Sequence, residues 1–187
     1  MFARLKTRVL PADDPAAPVV VFDRLPPDCG LPNAVRTAAI EEISERANGG
    51  GVIAGFPLSG VRFEVYDAEM HEDGSDEVAF RIAAGDAFES GIEAAGPVLL
   101  EPVMRVEVTT PDDYMGEIVG DLQQRRAIIA STETRGAMTV IVAHAPLKEM
   151  FGYSSAVRSL SQGRAGGSME PYGYQAAPKE DAESFQF

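Results

Sequence analysis

The side chains whose types invite a chemical reading are two histidines, one cysteine and a run of carboxylates. His71 stands in MHEDGSDE, close to Glu69, Glu72, Asp73, Asp76 and Glu77. An imidazole there could carry a proton near neutral pH. On spacing alone, a solvent-exposed loop histidine without a role is the simpler reading. The carboxylates could suit a hard cation, but they lack the Dx[DN]x[DN]G order of a calcium loop. Asp76 and Glu77 instead suit the positive start of a helix. His144 lies in IVAHAPL, an apolar strand, where a packed structural role is expected. Cys29 sits in a proline-rich loop and reads as a free thiol; a single cysteine fits a reducing cytosol. The chain has no GxxxxGK[ST], HExxH, CxxC or GxSxG. It is therefore expected to carry no catalytic residues and to bind no metal or nucleotide cofactor itself.

Several elements must position these residues. RLKTRVL (4–10) alternates as a strand, VVVF (19–22) reads as a short buried strand, and the loop DRLPPDCGLPN (23–33) follows. A helix is predicted over 33–47 with Asn33 as its cap, ending at Asn48 and three glycines. VRFEVYD (61–67) alternates as a strand, the loop with His71 follows, and a second helix runs over about 76–94. Gly96-Pro97 breaks the chain, which places a boundary near 97–101 and predicts two domains, 1–98 and 99–187. In the second, VLLEPVMRVEVTTP is extended. A helix is then expected to start at Thr110-Pro111-Asp112-Asp113, with Thr110 as its cap, and to end at Arg125-Arg126. A hairpin turning at Glu133–Gly136, a helix over 147–160, a short strand in SMEPYGYQ and a polar tail complete a β-α-β-β-α-β order.

The chain has 187 residues, 45 % of them hydrophobic, enough to bury a core in each half. No segment approaches the roughly 20 apolar residues of a membrane helix, and MFARLKTRVLPADDP lacks the apolar stretch of a secretory signal. The net charge is −13. Residues 1–96 hold 8 Lys/Arg against 17 Asp/Glu, and residues 97–187 hold 8 against 12. Because phosphate binding is driven by basic side chains displacing counterions, this balance argues against a nucleic-acid binder acting through bulk charge. It leaves room for local contacts from a few arginines.

Several longer strings together are not generic. EPVMRVEVTTPDDYMGEIVGDLQQRRAII (101–129) resembles the opening of domain V of elongation factor G, and APLKEMFGYSSAVRSLSQGRA (145–165) resembles that domain's second helix and following turn. GVIAGFP (51–57) and GFPLSGVRFEVYDAEMHEDGSDEVAFRIAAGDAF (55–88) resemble the core of domain IV. The resemblance covers nearly the whole chain. It implies a mixed α/β architecture: a domain like the second domain of ribosomal protein S5, with a left-handed crossover, followed by a ferredoxin-like βαββαβ domain. It implies a cytoplasmic, RNA-contacting module of a GTPase that moves transfer RNA and messenger RNA through the ribosome. Domain IV would reach the A site on the ribosome's small subunit, with domain V at the stalk base of the large subunit. GTP and magnesium would bind domains outside this sequence, and no membrane is implied.

Residue by residue, the resemblance makes His71 the counterpart of the family's tip histidine, with Asp67 and Glu72 on the same loop. It makes Cys29 and Gly30 part of the second tip loop. It places Arg125 and Arg126 in the matching domain V helix and Gly163 and Arg164 in the QGR turn. Gly116 and Gly120 would let that helix approach another backbone closely. The tip departs from the family pattern. RLPPDCGLPN lacks the family's glycine pair and is about three residues shorter, and Ala68-Glu69-Met70 replaces Gly-Ser-Tyr before the histidine. A second reading therefore stays open: a protein-interaction or regulatory module that kept the scaffold and left the ribosome.

Overall fold

A computed structural model describes residues 2–50, 55–71 and 74–184. They fall into two compact units, Met1–Leu99 with Pro178–Phe187, and Leu100–Ala177. The tail expected with the second domain thus groups with the first unit.

In the first unit, β1 (Arg4–Pro11) pairs antiparallel with β3 (Val61–Glu69), and β2 (Val20–Asp23) pairs parallel with β3 on its other edge. The parallel pairing requires a crossover, which α1 (Asn33–Gly49) provides. The alternation read from VRFEVYD holds: Phe63 and Val65 are fully buried, and Arg62 and Glu64 take the other face. Beneath the sheet, α1 contributes Val35, Ala39, Ile43 and Ala47, and α2 (Glu77–Ala95) contributes Phe80, Ala84, Phe88 and Ile92. Phe63 stacks on Phe88 with ring centres 5.4 Å apart. Two details differ from expectation. Asn33 does not cap α1; it is the first helical residue, and the Pro32 carbonyl accepts from Arg36 N–H. Strand β2 is half-exposed, because it forms an edge and Val20 faces away from the helices.

In the second unit, β4 (Leu100–Pro111), β5 (Ile128–Arg135), β6 (Met138–Pro146) and β7 (Gly166–Ala176) form an antiparallel sheet in the order β5-β6-β4-β7. With α3 (Met115–Gln124) and α4 (Tyr153–Leu160) this is the ferredoxin-like βαββαβ order. Val106, Val108, Ile118, Leu122, Ile141 and Val157 form its core. Four boundaries differ from the sequence pattern. Thr110 is a buried strand residue, not a cap, because β4 continues through Pro111 and a 3-10 turn (Asp112–Tyr114) precedes α3. The hairpin turns at Gly136-Ala137, with Arg135 opposite Met138. The helix expected over 147–160 is split into a 3-10 turn (Leu147–Met150) and α4, because Gly152 adopts φ 74° between them. The last strand is 11 residues long, and the polar tail includes a short helix, α5 (Lys179–Glu183). Among the described residues no helix is long and apolar enough to cross a membrane.

Candidate functional site

The pairing directions of the first sheet decide where its loops emerge. Because β2 runs parallel to β3, the loop after Asp23 leaves the same sheet end as the segment after Glu69. Because β1 is antiparallel with Arg4 opposite Glu69, the chain enters β1 at that end too. Helices α1 and α2 both begin there, so two positive helix ends point the same way. The proline-rich loop and the His71 segment, about 40 residues apart in sequence, are therefore brought to one end of the unit.

His71 is exposed there on a fixed backbone. Its N–H donates to Ser75 Oγ at 2.9 Å, and Ser75 Oγ donates to the Phe2 carbonyl at 2.6 Å. The imidazole meets the Phe2 ring edge-on, with centres 4.1 Å apart. The Asp76 side chain caps α2 through Ala79 N–H at 2.8 Å, as expected for an acid at a helix start. Asp67 lies further down β3, in an ion pair with Lys6 at 2.6 Å. The hydrogen bond and charge of Lys6 hold the Asp67 carboxyl below its ordinary value. Glu72 and Asp73 lie outside the described residues.

The proline-rich loop is anchored at both ends. Leu25 is buried and Leu31 packs on the core, while Arg36 of α1 donates to Asp23 at 2.7 Å and to the Leu25 carbonyl at 3.0 Å. Cys29 is half-buried, with its N–H on the Pro26 carbonyl, and Gly30 adopts φ 75° in open space. That backbone suits glycine.

In the second unit, both helix-end arginines are engaged inside the fold. Arg125 donates to Asp121 at 2.8 Å and to the Glu149 carbonyl at 2.5 Å, and its guanidinium stands 5.2 Å from the centre of the Tyr153 ring. Burial raises the Tyr153 phenol above its ordinary value. Arg126 donates to Glu101 at 2.6 and 3.3 Å and lies 3.7 Å from Glu149. Burial pushes the Glu101 carboxyl up, but hydrogen bonds from Arg126 and Gln175 and the charges of Arg126 and Lys148 outweigh it and hold it below its ordinary value. The QGR turn is different. Gly163 adopts φ 80° and donates to the Arg158 carbonyl at 2.7 Å, which brings Arg158 and Arg164 to one turn. Both guanidiniums are exposed and have no partner among the described residues. Arg158 was not singled out from the sequence; its place in a helix whose apolar stripe faces the core, shortly before Arg164, was the available signal.

The glycines of α3 serve no internal close approach, since a Cβ at Gly116 or Gly120 would meet nothing within 4 Å. His144 is half-buried on β6 and stacks on Tyr172, with ring centres 3.8 Å apart. No group of three His, Cys, Asp or Glu residues able to hold a metal occurs among the described residues.

A mixed α/β unit with its loops gathered at one end, followed by a ferredoxin-like unit, is the architecture that the resemblance to the last two domains of elongation factor G implies. Residues 2–96 match the family model for elongation factor G, domain IV, and residues 98–185 match the model for the elongation factor G C-terminus. The chain is 50 % identical over 145 residues to elongation factor G of Fervidobacterium nodosum and to that of Thermotoga maritima, covering 78 % of this chain and 21 % of each relative. A solved protein from Thermus thermophilus superposes with a TM-score of 0.73 at 31 % identity, over 98 % of this chain and 30 % of that one. The chain belongs to the elongation factor G family. It spans about a fifth of the length of the curated relatives it matches.

Proposed function

We propose that this chain is a non-catalytic, ribosome-contacting module that supports GTP-dependent translocation when joined to a family GTPase. The observation that carries this reading is the gathering of the His71 segment and the proline-rich loop at one end of the first unit. Exposed loop residues held on a rigid scaffold are the usual place for recognition. In this reading that end enters the A site of the small subunit, while the exposed Arg158 and Arg164 of the second unit contact RNA at the stalk base of the large one. The phosphate loop needed to hold GTP is absent from these residues, so nucleotide hydrolysis belongs to another part of a full translocase.

The test is ribosome binding by the chain and its His71→Ala variant. The imidazole is exposed and meets the Phe2 ring edge-on, so the melting temperature should stay within a few degrees while ribosome binding falls severalfold. A lowered melting temperature with unchanged binding would assign His71 to the scaffold. Absence of ribosome binding by the unaltered chain at low salt would favour the second reading, a regulatory module, to which the net charge of −13 and the shortened RLPPDCGLPN loop lend support.

A further inference from the structure

We propose that the open face of the first sheet, the face turned away from α1 and α2, is a second surface for the phosphate backbone of RNA. The alternation of the strands fixes its residues. Leu5, Val9, Val21, Phe63 and Val65 point into the core. The opposite positions are Arg4, Lys6, Arg8 and Leu10 on β1, Arg62, Glu64 and Tyr66 on β3, and Val20 and Phe22 on β2. Asp67 and Glu69 stand opposite Lys6 and Arg4. Arg24, just past β2, lays its guanidinium 5.2 Å from the centre of the Phe22 ring.

The charge is sharply sorted. Residues 1–96 hold eight Lys/Arg, and five of them, Arg4, Lys6, Arg8, Arg24 and Arg62, belong to this face. Among the described residues of 1–96, the carboxylates at these strand positions are Glu64, Asp67 and Glu69. The other three cations are bound to carboxylates on the helix side: Arg36 to Asp23, Arg46 to Glu42 and Glu89, and Arg81 to Glu41 and Glu42. A face with net charge +2 thus lies on a chain of −13.

Spacing and pairing suit a polyanion. Alternate strand residues lie about 6.7 Å apart, so Arg4, Lys6 and Arg8 form a row on the scale of successive phosphates. Arg4 pairs with Glu69 at 3.0 Å and Lys6 with Asp67 at 2.6 Å, both carboxylates about half exposed, while Arg8 lies 3.8 Å from Glu64, whose side chain is 17 % exposed. Surface pairs of this kind are weak and exchange readily for phosphate. Arg62 has a buried Nε without a hydrogen-bond partner among the described residues. Tyr66, 39 % exposed beneath Arg8, and Phe22 beneath Arg24 add aromatic surface, on which a base or ribose can rest. The choice of RNA over an acidic protein rests on the ribosomal reading above; the charge sorting does not.

The experiment measures binding of a fluorescein-labelled RNA hairpin, and of polyglutamate, to the whole chain as salt is raised. The unaltered chain is compared with the triple variant Arg4→Gln, Lys6→Gln, Arg8→Gln and with Glu64→Gln, Glu69→Gln. The triple variant should bind the hairpin at least tenfold more weakly at low salt, with a log–log salt slope reduced by roughly 2 to 3. The carboxylate variant should bind more tightly, because it frees Arg4 and Arg8. Equal RNA binding by all three proteins, or polyglutamate binding as tight as RNA, overturns the proposal. Co-sedimentation with ribosomes separates the two readings. If the triple variant and the unaltered chain co-sediment alike, this face is not used and the proposed function stands. If the hairpin binds through this face but ribosomes do not bind, the face stands and the proposed function falls.

Discussion

Arg126 shows most clearly how a residue can look available in sequence and be committed in the fold. Its backbone is left-handed, φ 61°, a conformation that costs a residue with a side chain roughly 1 kcal/mol. It is held there while its guanidinium forms a two-bond contact with Glu101, which is 7 % exposed. Arg126→Ala should therefore destabilise the protein by about 2 kcal/mol, and Arg126→Gly by roughly 1 kcal/mol less, since glycine removes the backbone cost. Chemical denaturation of the two variants checks this. The Glu101 carboxyl is held below its ordinary value of 4.5 in the folded state. A lowered folded value means that the carboxylate's contribution is fully present above that ordinary value. It disappears as pH falls through the folded value. Stability followed from about pH 6 to about pH 2 should fall more steeply in the unaltered protein than in Glu101→Gln, whose neutral amide has nothing to protonate. The Arg125–Asp121 pair is a local i,i+4 contact, but the bonds of Arg125 to the Glu149 carbonyl and of Arg126 to Glu101 span about 25 residues and leave no local signal. His71 was legible as a site only through resemblance; its spacing among acids indicated no more than a polar loop.

Among the elements, those with strong local patterns were readable and those fixed by distant pairing were not. The alternation of RLKTRVL and VRFEVYD, the stripe Ile118–Leu122 and the glycine stop after α1 are local signals, and the structure follows them. SMEPYGYQ alone indicates a short strand, whereas β7 runs from Gly166 to Ala176. Its full length comes from pairing with β4, from Leu100 opposite Ala176 to Thr109 opposite Gly166. Thr110 matched a cap pattern, yet β4 carried through it, since burying Thr110 beside Val108 outweighs a local preference. The glycines of α3 yield another prediction. A Cβ at Gly116 or Gly120 meets nothing, so Gly116→Ala and Gly120→Ala should each raise stability by up to about 1 kcal/mol, measurable by thermal unfolding. If these glycines serve close approach to an external surface, the same variants should bind ribosomes less well while melting higher.

At the scale of the whole chain, charge and membership of the elongation factor G family pull in opposite directions. A net charge of −13 repels RNA at long range, yet five cations are sorted onto one sheet face and Arg158 and Arg164 have no partner among the described residues. Bulk composition conceals such sorting, whereas strand register exposes it. The most direct measurement is co-sedimentation of the unaltered 187-residue chain with ribosomes as salt is raised from about 50 to 200 mM. Binding at low salt that declines linearly on a log–log scale is the predicted result, since a few arginine–phosphate contacts must overcome general repulsion. No binding at about 50 mM, where phosphate contacts are strongest, would contradict the account of this chain as a ribosome-contacting module.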